Sequence, residues 1–316
     1  MPGTKTLTVP ASPRPRVSAP WVAAALVALL TASADAQQRP AFDGAAALEA
    51  TRRVVAFGPR PAGSAAHRKL RQWLIVELRA LKCEVAEYPF TARTPLGPRS
   101  MTNLIAKLPG DPGRVVVVTG HYDTYDRSGL RFVGANDGGS SAGFLLQLAR
   151  TLARTPHRDS VWLVWFDGEE SVVSWQGEDH TYGSRRLAKK WKAEGATDSI
   201  LALINVDMIG DADLGLVYEM ESTAWVRDLV WSVAGRLGFG AQFSRRYTTA
   251  IGDDHVPFLE AGVPALDLID LDYGPGNAYW HTEQDTMDKL GARSFEIVGQ
   301  VVLEALRVLE QRTSRR

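Results

Sequence analysis

Two adjacent glutamates, Glu169 and Glu170, follow an apolar run, Val161 to Phe166, that ends in Asp167-Gly168. Adjacent carboxylates repel, so the pair needs a positive partner or a shared proton. Four other polar clusters occupy comparable places. His121-Tyr122-Asp123 follows the run Arg114 to Thr119, and Asn136-Asp137-Gly138-Gly139 opens a helix. Asp207-Met208-Ile209-Gly210 follows Ile200 to Val206, and Trp280-His281-Thr282 lies beyond the last strand. His121, Asp137, Glu170, Asp207 and His281 are nitrogen and oxygen donors of the kind zinc takes. Two histidines and three carboxylates are enough for two metals a few ångströms apart, with one carboxylate bridging. Glu169 then stands beside a ligand and is free to serve as general base.

Each element has a plainer reading by itself. Asp137 alone could be a helix N-cap. Glu169-Glu170 alone could be a solvated first helical turn. His121 alone is more often a surface or hydrogen-bonded histidine. Their joint occurrence, in order, at strand ends argues for one shared cleft.

The elements that must position these residues alternate. Helical periodicity runs from Ala45 to Val55 and from His67 to Leu81, separated by the turn-rich Gly58 to Ser64. Further on come a strand over Arg114 to Thr119, a helix over Ser141 to Leu152 and a strand over Val161 to Phe166. A helix over Tyr182 to Trp191, a strand over Ile200 to Val206 and a helix over Ser222 to Leu237 follow. Ala265 to Ile269 is the last strand and Ser294 to Gln311 the terminal helix. Continuous apolar strands separated by helices predict an α/β protein, its sheet covered on both faces in an α-β-α sandwich. In such sheets the ligand sits beyond the carboxyl ends of the strands.

The chain has 316 residues with no net charge, which gives no reason to expect a nucleic-acid partner. Residues 1–36 read as an export leader: basic Lys5, Arg14 and Arg16, an apolar Trp21 to Leu30, and a cleavage site at Ala34-Asp35-Ala36. The apolar run is short for a bilayer, so no stable membrane span is expected once the leader is gone. Residues 37–316 are then a single catalytic domain, exported to a periplasm or secreted, and expected to be a monomer. Cleavage after Ala36 would make Gln37 the new N-terminus. Cys83 is the only cysteine, so no intramolecular disulfide is possible, and it reads as packing.

The set GHYD, GANDGGS, DGEE, NVDMIG and WHT resembles the zinc aminopeptidases of metallopeptidase family 28, which also contains the animal-type glutaminyl cyclases. The resemblance spans roughly Asn103 to Leu290 and implies a mixed, mostly parallel sheet of the zinc-aminopeptidase type. Within the family, the stretch from Ser171 to Trp191 resembles the cyclase branch, including Trp175, Asp179 and Tyr182-Gly183-Ser184-Arg185. Gly252 to Phe258 and Trp280 before His281 resemble it as well. This likeness implies Asp137, Glu170 and His281 as zinc ligands and Glu169 as the proton-transfer residue. It implies Asp207 and Asp253 as partners in a hydrogen-bond network, and Trp175 and Trp280 as pocket walls. Three features depart from the branch. The loop from Asp270 to Tyr279 is longer than in the animal enzymes. Asn136 to Gly139 is nearer the peptidase form, and the paired cysteines of the animal enzymes are absent.

Two activities follow from the resemblance. In the first, an N-terminal glutamine of a peptide or protein is cyclised to pyroglutamate with release of ammonia, using one zinc. In the second, two zincs held by His121, Asp137, Glu170, Asp207 and His281 serve an aminopeptidase, with Glu169 deprotonating a water. The segment after Glu170 favours cyclization. A binding domain without catalysis would be expected to lose the base or a ligand, and none is missing.

Overall fold

The β-branched run Arg114 to Thr119 suits a pleated, half-buried surface. In the computed structural model it forms the middle of β3 (Asp111–His121). The structure describes Gly3, residues 41–127 and residues 129–313. The expected leader, apart from Gly3, and Gln37 lie outside the described residues.

Helix α1 (Gly44–Val55) begins where the Asp43 carboxylate accepts from the Ala46 N–H at 2.9 Å. Ser64 caps α2 (Ala65–Ala80) through the His67 N–H at 3.1 Å. Next come β1 (Glu84–Thr94), β2 (Gly97–Leu108), β3, α3 (Gly139–Leu152) and β4 (Asp159–Phe166). After these follow α4 (Tyr182–Ala193), β5 (Ile200–Asp207), β6 (Tyr218–Glu219) and α5 (Ala224–Arg236). The chain continues through β7 (Thr248–Thr249), α6 (Val256–Glu260), β8 (Ala265–Ile269) and α7 (Ala292–Thr313).

Six strands form one sheet in the order β1-β2-β4-β3-β5-β8. The β4, β3, β5 and β8 strands run parallel, whereas β1–β2 and β2–β4 pair antiparallel. Alternation along the strands sends side chains to two separate cores. Val116 and Val118 of β3, Leu163 and Trp165 of β4 and Ile204 of β5 face α1, α2, α3, α5 and α7. Val115, Val117, Val164 and Leu203 face Leu187 and Trp191 of α4 and Phe258 of α6. The sheet is therefore covered on both faces, as the apolar strands required.

The expected elements are present, with ends moved by at most three residues. The antiparallel β1–β2 pair, the small β6–β7 sheet and the short α6 were not foreseen. From β3 the chain passes to β4 on one side and then to β5 on the other. This reversal opens a crevice at the carboxyl ends of β3, β4 and β5, where His121, Asp167 and Asp207 lie.

Candidate active site

The crevice is a cavity of about 320 Å³ lined by Asp137, Glu169, Glu170, Asp207, Asp253 and His281 on its polar side. Trp175, Trp280, Tyr247, Ile251 and Leu271 form its apolar walls. His121 is the last residue of β3, and its Nε2 lies 3.2 Å from Asp137 Oδ1 and 3.3 Å from Asp207 Oδ1. The other Asp137 oxygen lies 3.2 Å from His281 Nε2, which is also 3.4 Å from Glu170 Oε2. Asp137 thus stands between two donor triads: His121, Asp137 and Asp207, and Asp137, Glu170 and His281. The donor atoms of each triad lie within 4.8 Å of one another.

These residues suit a metal ion. Both His121 ring nitrogens, both Glu170 carboxylate oxygens, Asp137 Oδ2 and Asp207 Oδ1 are buried without a hydrogen-bond partner. Buried polar atoms ordinarily find partners, so such a cluster of orphans at ligand spacing has the chemistry of a metal site. All five expected ligand candidates are brought together.

Burial dominates the acid–base balance. It drives Glu169 well above the usual carboxylate range; His121 opposes the rise, while Glu170, Asp253 and Asp254 add to it. Burial, with Asp137 nearby, lifts Glu170 to about 7 against the pull of His281 and His121. Asp207 rises to about 6, again chiefly through burial. Burial opposes charge on Asp137 too, yet contacts with His121 and His281 hold it below its ordinary value.

The surrounding loops fix this geometry. Asp123 accepts from the Glu169 N–H at 3.2 Å and the Glu170 N–H at 3.4 Å, and its Oδ1 lies 3.5 Å from His121 Nδ1. Asp285 does the same for the Asp137 loop, accepting from Asn136 N at 2.7 Å and Asp137 N at 3.1 Å. The Tyr273 hydroxyl donates to Asp285 at 2.7 Å. Gly138 has φ +72°, and a side chain there would run into the Asp123 carbonyl and the His121 ring. Arg60 is fully buried: its guanidinium donates to the Tyr122, Val133 and Gly134 carbonyls, and its backbone N–H donates to Thr124 Oγ1. Its charge faces the acidic cluster even though burial lowers its pKa to about 10.

Glu169 and Glu170 are buried and non-helical, so the plainer reading of a solvated helical turn does not hold. Asp137 does not cap α3; Gly138 stands at that position and offers no side chain. Asp253 lines the cavity, but its hydrogen bonds run to Asn205 Nδ2 at 2.9 Å and to the Asp254 N–H, not to Glu169 or Asp207. Asn205 continues to Asp267 and Thr119. Trp175 and Trp280 both line the cavity and are each 41% exposed, which puts them at its mouth. Trp165 is core, and Trp191 packs on the half-buried Trp162 with ring centres 5.2 Å apart.

Asp123, Asp285, Arg60 and Tyr125 were not singled out as functional in the sequence. The Asp123 signal was present, two residues after His121. The others act on partners far from them in the sequence: Arg60 on residues 122 to 134, Asp285 on Asn136 and Asp137, and Tyr125 on His281, whose ring it stacks against at 4.5 Å.

The profile of Peptidase family M28 matches residues 103–306. A glutaminyl-peptide cyclotransferase of Drosophila melanogaster is 32% identical over 253 residues, covering 72% of this chain and 70% of its own length. Among solved structures, a glutaminyl cyclase from an Acidobacteriales bacterium superposes with a TM-score of 0.83 at 40% identity. It covers 87% of this chain and 98% of its own. A Zn-dependent exopeptidase from Parabacteroides distasonis superposes with a TM-score of 0.76 at 26% identity, over 84% of this chain and 98% of its own.

Proposed function

The chain belongs to peptidase family M28, and from that premise we propose that it is a glutaminyl-peptide cyclotransferase working on peptide and protein N-termini. One observation carries the reading. The Glu169 carboxylate is buried in a cavity walled by Trp175 and Trp280, beside the Asp137, Glu170 and His281 triad. That enclosure suits one N-terminal side chain that reacts with its own α-amine.

In this reading Asp137, Glu170 and His281 hold one zinc, which when bound supplies a Lewis acid for the γ-carbonyl of the glutamine. The cavity folds the glutamine so that its α-amine meets the γ-carbon, and positioning does much of the work because the nucleophile is intramolecular. Glu169 takes a proton from the amine as the new C–N bond forms. It returns that proton to the amide nitrogen as the old C–N bond breaks and ammonia leaves. A carboxylate raised by burial is matched to both transfers. Asp253 adds to the rise of Glu169 and so helps it hold the proton between the two transfers, and Asp207 lines the same cavity. Trp175 and Trp280 shield the ring-closing atoms from water.

A second reading has one specific support. The His121, Asp137 and Asp207 triad is intact, and a second zinc there would suit an aminopeptidase. A peptide beginning Gln-Ala separates the two. Mass spectrometry of a zinc-loaded incubation is expected to show loss of ammonia without chain cleavage, absent in Glu169→Gln. Release of free glutamine would overturn cyclization in favour of hydrolysis. Residues 1–36 read as an export leader, placing the working protein outside the cytoplasm; N-terminal sequencing of the product from its native host tests this. No helix among the described residues is long and apolar enough to cross a membrane.

A further inference from the structure

Residues 171–180 run without helix or strand between Glu170 and α4. The ends of this loop are tied together. Thr181 N donates to Glu169 O at 2.8 Å, and Tyr182 N donates to Gly168 O at 2.8 Å. Inside the loop, the Asp179 carboxylate collects four donors. Its Oδ1 accepts from Val172 N at 3.1 Å and the Tyr182 hydroxyl at 2.5 Å. Its Oδ2 accepts from Val173 N at 2.8 Å and Ser174 N at 2.9 Å. Asp179 is itself buried. Burial works against its charge, but the Tyr182 hydroxyl and the N–H groups of Ser174, Val173 and Val172 hold it below its ordinary value.

The three N–H groups lead directly into Trp175. On the other side, His180 follows Asp179 and stacks on the Trp175 indole, with ring centres 4.3 Å apart and planes 13° apart. The carboxylate therefore fixes both the backbone entering Trp175 and the residue before the ring that backs it. We propose that Asp179 is a positioning residue for substrate binding, acting through Trp175 to set the wall against which the N-terminal residue is held. The proposal rests on the reading of the cavity as the substrate pocket.

Irregular backbone N–H groups near a cavity need partners, and no secondary structure supplies them here. A carboxylate offers two oxygens that each accept twice. A carboxamide cannot replace it, because either orientation turns an NH2 toward an N–H donor.

The test compares wild type, Asp179→Asn, Tyr182→Phe, Trp175→Ala and the Asp179→Asn/Trp175→Ala double variant, zinc-loaded, on a Gln-Ala peptide. Asp179→Asn is expected to raise KM by about ten-fold, the size of one lost hydrogen bond to a charged group, with kcat within about two-fold. Tyr182→Phe keeps the carboxylate and its three N–H bonds, and KM is expected within about three-fold of wild type. In the Trp175→Ala background the Asp179 effect on KM is expected to vanish, because a residue acting through the indole has nothing left to position. Hydrogen exchange at the amides of residues 172–174 is expected to quicken in Asp179→Asn. Additive KM effects, an equal fall in kcat with KM unchanged, or unaltered exchange would each overturn the proposal. If wild type releases free glutamine, cyclization fails, and the same KM comparison on that hydrolysis still tests Asp179.

Discussion

The imidazole of His281 lies flat against the phenol ring of Tyr125, with ring centres 4.5 Å apart and planes 11° apart. Trp280 stacks on the same imidazole at 4.3 Å. His281 itself has φ +53°, a conformation that L residues adopt only when their surroundings hold them there. Tyr125 is thus a support for a proposed ligand whose backbone is strained. Tyr125→Ala is expected to weaken zinc retention by about ten-fold, and Tyr125→Phe to leave it nearly unchanged. Competition with a chromogenic chelator measures both, and equal retention in wild type and Tyr125→Ala would remove the support role.

Replacing Glu169 by Gln removes the proposed proton carrier while keeping the shape of the cavity. The expected outcome is a fall in kcat of about a hundred- to ten-thousand-fold, with bound zinc unchanged. Ammonia release and metal analysis on the same preparation read the two quantities. A variant that retains turnover would move the proton transfer to another group.

Asp285 holds the Asn136 and Asp137 amides, so it orients a proposed ligand from the loop that also carries His281. Asp285→Ala is expected to lower zinc affinity by about ten-fold or more. Tyr273→Phe, which removes only the hydroxyl donor, is expected to have the smaller effect. Identical affinities in the two variants would argue against this division of roles.

Metal content separates the two donor triads. Purified protein is expected to hold one zinc per chain, and His121→Ala to keep it, whereas His281→Ala is expected to lose it. Removing the metal leaves buried carboxylates without compensation, so chelation is expected to lower Tm as well as activity. Two zincs per chain, with one lost in His121→Ala, would assign the second triad a resident metal.

Asp270 provides a pH test away from the donor cluster. Burial lifts its carboxyl to about 7; the N–H groups of Gly215 and Asp272 resist the rise, and Asp211 and Asp272 add to it. In the unfolded chain the same group titrates near its ordinary value of about 4. The folded protein therefore binds this proton more tightly. The stability it contributes is fully present below about pH 4 and is lost as pH rises toward about 7. The Tm of Asp270→Asn relative to wild type is expected to improve as pH rises across that window. A difference that does not change with pH would show that Asp270 does not titrate there.

The donor cluster was legible because His121, Glu169, Glu170 and Asp207 stand at or just beyond the ends of apolar strands, and parallel strands gather their carboxyl ends. Asp137, at the entry to a helix, and His281, in the loop after the last strand, were legible from their residue types and their order along the chain. What supports them could not. Arg60 sits in a turn-rich stretch, and its burial depends on carbonyls of residues 122, 133 and 134, which only the folded chain brings near. Asp285 has the same character, since its partners lie far back along the chain. The sequence around Cys83 already reads as a helix giving way to a half-buried strand. The extent and antiparallel pairing of β1 were obscure for a different reason. β1 is an edge strand, rich in charge and carrying Pro89, and it lacks the continuous apolar run that marks a central strand.

The tie between Thr181 N and Glu169 O has a consequence for how such a protein diversifies. Because the loop leaves and returns at neighbouring points on the backbone, it is in effect a cassette plugged into a fixed socket. Changes within residues 171–180 fall on the mouth of the cavity, whereas the backbone ties that close the loop lie outside that segment. New substrate preferences are therefore open to change in one short segment, while the chemistry beneath it stays constant.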